Sequence, residues 1–209
     1  MTGETHKKGR LFVLSAPSGS GKTTVKNLVM KKLPDLVYSV SYTTRPMRPG
    51  EINGRDYNFV DDQTFRRMID AGELLEWAEV FGRYCYGTGK AWVEGKLFAG
   101  HNVVADLDVA GAASVRKLMP EAILIFMAPP GLAELRRRLV GRCTETEEEV
   151  SRRLSEAEVE INKRDIYDFL LVNDDLDATA DELAGIIETG QGTAMKEMES
   201  FWSKFFTEK

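Results

Sequence analysis

Apolar positions along the chain gather into dense runs at residues 11–15, 37–42, 102–107, 122–128 and 168–172, and most of the stretches between them show helical spacing. Short apolar runs bounded by turn residues read as buried strands, and their alternation with helices predicts an α/β fold: a parallel sheet flanked by helices. The first strand leads through a glycine-rich turn into a helix over 23–32 with Val25, Leu28 and Val29 on one face. Between 44 and 88 the pattern changes. "TTRPMRPGEINGRDYNFV" is rich in turn formers, a short helix over 62–71 closes on Gly72, and "ELLEWAEV" reads as a strand. This predicts an inserted subdomain built on a small mixed sheet. Farther on, "RRRLVGRCTETEEEVSRRL" crowds arginines around a polar turn, where Thr144 and Glu147 have capping-box spacing. The tail carries Met195, Met198, Phe201, Trp202, Phe205 and Phe206 on one helical face, which predicts packing against the body or, in a homo-oligomer, against a second subunit.

The length of 209 residues suits one α/β unit with insertions. A net charge of −5 with no long basic run argues against a broad nucleic-acid surface. Cys85 and Cys143 give neither a disulfide framework nor metal-ligand spacing, which fits a reducing cytoplasm. No apolar stretch reaches the roughly 20 residues of a membrane span. The opening "KKGRLFVLSAP" has the charge-then-apolar order of a signal peptide, but it runs straight into the glycine turn, so residues 1–9 read as a frayed terminus.

That turn carries the first chemistry. Ala16-Pro17-Ser18-Gly19-Ser20-Gly21-Lys22-Thr23-Thr24 matches a phosphate-binding loop except that alanine stands where the template has its first glycine. The cradle is made downstream, by successive N–H groups, a lysine and a hydroxyl, so Ala16 does not disqualify it. Strand, loop and helix together predict a P-loop NTPase fold binding a nucleoside triphosphate with Mg²⁺, the metal held through Thr23 with Asp106 ordering its water. Phosphoryl transfer needs positive charge around the moving group and exclusion of water, and the arginine-rich segment has the composition of a mobile lid. Each of its arginines can also be read as part of a solvated helix face paired to nearby glutamates.

The insert speaks to the second substrate. Arg45 and Arg48 can present two guanidinium forks to one phosphate, with Tyr57 and Tyr86 beside them, although prolines on both sides also suit a plain surface loop. Glu76, in an apolar strand, needs hydrogen-bond donors. Guanine offers two on its Watson–Crick edge, N1–H and N2–H₂, whereas adenine presents a lone pair that a carboxylate repels. Alternation from Asp106 places Asp108 on the same side of its strand as a second acceptor, and Ser41 and Thr88 are candidate donors to guanine O6.

On these stretches, together with "LVNDDLD", the chain resembles the guanylate kinases over residues 10–187. The resemblance implies ATP-dependent phosphorylation of GMP and dGMP, with Ser41, Arg45, Arg48, Tyr57, Glu76, Tyr86, Thr88 and Asp108 contacting GMP. It also implies that Lys22, Arg138, Arg142 and Arg153, with Arg45, serve the transferred phosphoryl group. The corresponding division is a core of 10–40, 95–135 and 155–190, a GMP-binding subdomain of 41–94, a lid of 136–154 and an extra C-terminal helix of 191–209. The family's tyrosine pair is one residue longer here, Tyr84-Cys85-Tyr86, which leaves two candidates for the phosphate contact. Two other classes share parts of the pattern. Interaction modules of this fold lack the loop lysine and lid arginines, and ribose-bisphosphate kinases need no base-reading carboxylate; Lys22 argues against the first and Glu76 against the second.

Overall fold

The computed structural model describes residues 8–80, 82–140 and 147–207. Its elements run β1 Leu11–Ser15, α1 Lys22–Lys32, β2 Val37–Tyr38, β3 Tyr42–Thr43, β4 Asn58–Phe59, α2 Asp62–Asp70, β5 Leu74–Val80, β6 Tyr84–Gly89, α3 Lys90–Phe98, β7 Val103–Asp106, α4 Val109–Leu118, β8 Ile123–Ala128, α5 Leu132–Val140, α6 Glu147–Ile161, β9 Phe169–Val172, α7 Leu176–Thr189 and α8 Glu199–Thr207. A five-stranded sheet has the order β2-β7-β1-β8-β9, with β2 parallel to β7 and β8 parallel to β9; a separate mixed sheet has the order β4-β3-β6-β5. The chain forms two compact units interleaved in sequence: unit 1 is Met1–Val13 with Asp35–Ala122, and unit 2 is Leu14–Pro34 with Ile123–Lys209.

In unit 1 the apolar run at 37–42 is two strands rather than one. β2 pairs with β7 and continues only as far as the Ser39 N–H, which donates to Val104 O; the chain then changes sheets, with Val40 O accepting from the Asn58 side chain and β3 joining β4 and β6. Apolar character marks burial in either sheet, so it cannot reveal the switch. Asp61 caps α2 through the Thr64 N–H, and Gly72 closes it at φ 65. Phe65 and Met68 of α2 bury with Leu74 at the start of β5, forming the core under the mixed sheet. β5 pairs antiparallel with β6, placing Glu76 opposite Thr88 and Ala78 opposite Tyr86, and α4 lies against β5.

Unit 2 is organised around β8, buried from Leu124 to Ala128, with α1 and α7 against each other. Leu135 and Leu139 of α5 join Val150, Leu154 and Ala157 of α6 in a small core. The C-terminal segment packs within its own unit: Leu170 N–H donates to Thr193 O, Met195 N–H donates to Asp168 O, and Trp202 and Phe205, 4% and 1% exposed, pack against each other with Trp202 beside Phe126. Arg164 lies over the Trp202 ring at 4.9 Å. The aromatic face expected at 191–209 is thus largely covered by unit 2 itself.

Candidate functional site

In unit 2, β1 ends at Ser15 and the chain turns, with Ser20 N–H donating to Pro17 O at 3.1 Å. The left-handed positions of the loop are Gly19 and Gly21, both at φ 89, and both follow Ala16, so alanine occupies none of the positions that need glycine. α1 then begins at Lys22, leaving its first-turn N–H groups, with the exposed Thr23 and Thr24, at the helix N-terminus where anions bind.

Two predicted arginines reach this loop, Arg153 directly and Arg138 through Asn173. Arg153 Nη1 donates to Ser18 Oγ at 3.1 Å. Arg138 donates from Nε to Glu134 at 2.6 Å and from Nη2 to Asn173 O at 2.8 Å. Arg137 and then Arg138 draw the Glu134 carboxyl down to about 2. The rest of the cluster follows the solvated-face reading: Arg136 pairs with Glu147, Arg137 with Glu134 and Arg152 with Glu156. Arg142 and Thr144 lie outside the described residues.

One residue at this site was not singled out by sequence. Asn173, 1% exposed at the end of β9, donates from Nδ2 to Ser20 O at 2.6 Å and accepts from Thr179 Oγ1 at 3.2 Å, while its carbonyl receives Arg138. A side chain on Gly21 would come within 2.5 Å of that amide nitrogen. Asn173 therefore ties the phosphate loop to an arginine of α5. Its signals in sequence are a polar residue directly after a buried strand and a place within the "LVNDDLD" stretch.

In unit 1, two clusters form. In the first, Arg45 is 8% exposed, donates to both oxygens of Glu51 at 2.7 and 3.1 Å, and lies 5.3 Å over the Tyr57 ring. Tyr57 and Tyr86 meet edge to face at 5.7 Å, which places Tyr86 rather than Tyr84 in the cluster; the Tyr84 ring carries Arg83 at 4.9 Å. Glu51 also accepts from the Arg48 N–H at 2.7 Å, while the Arg48 side chain stays exposed. The two forks are therefore not equivalent: one is pinned and one is open. Arg45 first, then the Arg48 N–H, holds Glu51 below the usual carboxylate range. Sequence reading missed Glu51, whose signal is a carboxylate six residues past Arg45 in the same loop.

The second cluster surrounds Glu76, 8% exposed on β5. Thr88 Oγ1 donates to its Oε1 at 2.6 Å, so in this structure that hydroxyl serves Glu76 rather than standing free for a base oxygen. Burial pushes the Glu76 carboxyl up to about 7; Asp108 raises it further and the Thr88 bonds oppose the rise. Asp108 is not a strand residue. β7 ends at Asp106, and Asp108 caps α4, accepting from Gly111 N–H at 2.7 Å. A cap residue has left the strand's alternation, so Asp108 comes near Glu76 by a route that the two-residue period did not predict. Ser41 is half-buried just before β3, its carbonyl accepting from the Asn58 N–H.

A family model described as Guanylate kinase matches residues 8–190. The guanylate kinase of Nocardia farcinica is 50% identical over 184 residues, covering 88% of this chain and 95% of that protein, and that of Chromobacterium violaceum is 46% identical over 179 residues, covering 86% and 85%. Among solved structures, guanylate kinase from Anaplasma phagocytophilum aligns over 97% of this chain and 98% of that one, with a TM-score of 0.71 and 33% identity.

Proposed function

The chain belongs to the guanylate kinase family, a family of nucleoside monophosphate kinases that phosphorylate GMP with ATP as co-substrate, and from this premise we propose which of its residues do so. Unit 1 takes GMP, or dGMP: Glu76 accepts guanine N1–H and N2–H₂, with Asp108 as second acceptor and Ser41 at the base. Arg45, Arg48, Tyr57 and Tyr86 hold the monophosphate. Unit 2 takes ATP on residues 16–24, with Lys22, Arg138, Arg153 and Arg142 stabilising the transferred group. The observation that carries this reading is the buried Glu76 carboxylate fastened by Thr88.

A GMP phosphate oxygen is anionic at neutral pH, so no strong general base is needed, and the protein contributes alignment and charge. Arg45 is already oriented by Glu51, and little ordering entropy remains to be lost when phosphate arrives. The Thr23 hydroxyl and the Asp106 carboxylate are hard oxygen donors of the kind Mg²⁺ prefers. Among the described residues no group of three or more His, Cys, Asp or Glu could hold a metal by itself, which suits an ion brought in on the nucleotide's phosphates. Bound there, Mg²⁺ would neutralise charge on those phosphates.

No helix among the described residues is long and apolar enough to cross a membrane. A cytoplasmic site of action, without nucleic-acid or membrane partners, completes the proposal, supported by the acidic balance and the lack of a cysteine framework. The test is ADP release with Mg·ATP and, in turn, GMP, dGMP, AMP, UMP and ribose 1,5-bisphosphate. Turnover with GMP and dGMP and little with the others is expected; equal rates with GMP and AMP would refute the role of Glu76.

A further inference from the structure

Within unit 1, Gly111 stands in the first turn of α4 directly against the Glu76 carboxylate. A Cβ built on it would lie 2.9 Å from Glu76 Oε2, 3.3 Å from Cδ and 3.4 Å from Asp108 Oδ1. Backbone geometry does not ask for glycine here: Gly111 is absent from the left-handed glycines and sits in an ordinary helix, where alanine is the more favourable residue. Its N–H donates to Asp108 Oδ1 at 2.7 Å, a bond that alanine would keep. The atom nearest this space is Glu76 Oε2, while the Thr88 hydroxyl bonds the other carboxylate oxygen, Oε1.

We propose that Gly111 is a specificity-determining position, whose missing side chain seats the Glu76 carboxylate where it can meet both guanine N–H groups at once. The proposal rests on the reading of Glu76 as the guanine acceptor. Adding a methyl at Gly111 moves Oε2, the free end of a side chain, and leaves the helix backbone in place. A bidentate pair tolerates little displacement, because both hydrogen bonds lengthen together. GMP therefore loses binding that AMP, which cannot make the pair, never had.

The experiment is a cycle of Gly111→Ala, Glu76→Gln and the double variant, measuring kcat and KM for GMP, AMP and ATP together with thermal unfolding. The ratio of kcat/KM for GMP over AMP is independent of the active fraction, so partial misfolding does not blur it. Gly111→Ala is expected to raise the GMP KM about tenfold or more, leave the ATP KM unchanged, and narrow the GMP/AMP ratio by a similar factor. In the Glu76→Gln background it should add little. An unchanged ratio in Gly111→Ala, beside a narrowed one in Glu76→Gln, overturns this proposal and leaves the guanine reading standing. An unchanged ratio in Glu76→Gln overturns both. An equal effect of Gly111→Ala in both backgrounds, or a variant that does not fold, overturns the proposal by showing that the methyl acts elsewhere than on Glu76.

Discussion

Unit 2 presents its candidate phosphate site mainly with backbone, whereas unit 1 presents its candidate acceptor site with side chains that fasten one another. The Gly19–Gly21 turn and the start of α1 offer N–H groups whose direction is set by φ and ψ alone, and Asn173 anchors them through a carbonyl. In unit 1, Arg45 depends on Glu51 and Glu76 on Thr88. A backbone site suits a ligand part common to all nucleotides. A side-chain site suits the part that must be told apart, since removing one member leaves its partner buried and unsatisfied.

Removing charge from the backbone site should do the most damage. Lys22→Ala is expected to lower kcat by about 10³-fold while leaving GMP affinity, measured by calorimetry, near the parent's. Loss of GMP affinity as well would mean that the two sites are not chemically separate in the way the comparison holds. Glu76→Gln should act in the opposite sense, reducing GMP/AMP discrimination by roughly 10²-fold with a smaller change in kcat.

The same contrast decides what could be read from sequence. The phosphate loop, the β1 and β8 strands and the helix closed by Gly72 were legible, because local spacing and φ requirements are written in neighbouring residues. Glu76 and Arg45 were legible as residue types in suggestive contexts. Their partners were not. Thr88 is legible as a hydroxyl beside the base site but not as the partner of Glu76, because pairing across β5 and β6 cannot be read from either strand alone. Glu51 was passed over because a carboxylate in a polar loop usually faces water. Asp108 was placed on a strand because nothing local marks where β7 yields to the cap of α4. Asn173 lies 153 residues from the carbonyl it serves, a separation that no window covers.

Asn173→Ala tests whether the backbone site needs this side-chain anchor. The change deletes the bond to Ser20 O and leaves that carbonyl without its amide partner, whereas the Thr179 hydroxyl keeps its 2.6 Å bond to Asp175 O, so stability should fall by about 2 kcal/mol and the ATP KM should rise with it. Urea unfolding and ATP kinetics read the two effects. A loss of stability with unchanged ATP kinetics would show that the loop holds its shape from φ and ψ alone.

The smallest effect is one of pH, and it belongs to unit 1 only. A carboxyl raised from 4.5 to about 7 holds its proton more tightly in the folded state, so its contribution to stability is full below the unfolded value and is lost as pH climbs through about 7. If Glu76 accepts the guanine N–H groups as proposed, it must be ionised to do so, and GMP binding works against the proton. One unit below its pKa about a tenth of the carboxyl is ionised, and GMP affinity should therefore fall up to about tenfold between pH 8 and pH 6. The phosphate of GMP titrates near 6 as well, so the telling quantity is the difference between the parent and Glu76→Gln. Calorimetry near pH 7 in buffers of different ionisation enthalpy should show a fraction of a proton released when the parent binds GMP, and less when the variant does. Equal release from both would place the titrating group outside the Glu76 cluster. ATP binding to the backbone-built site, which has no buried carboxyl raised in this way among its described residues, should show no such difference.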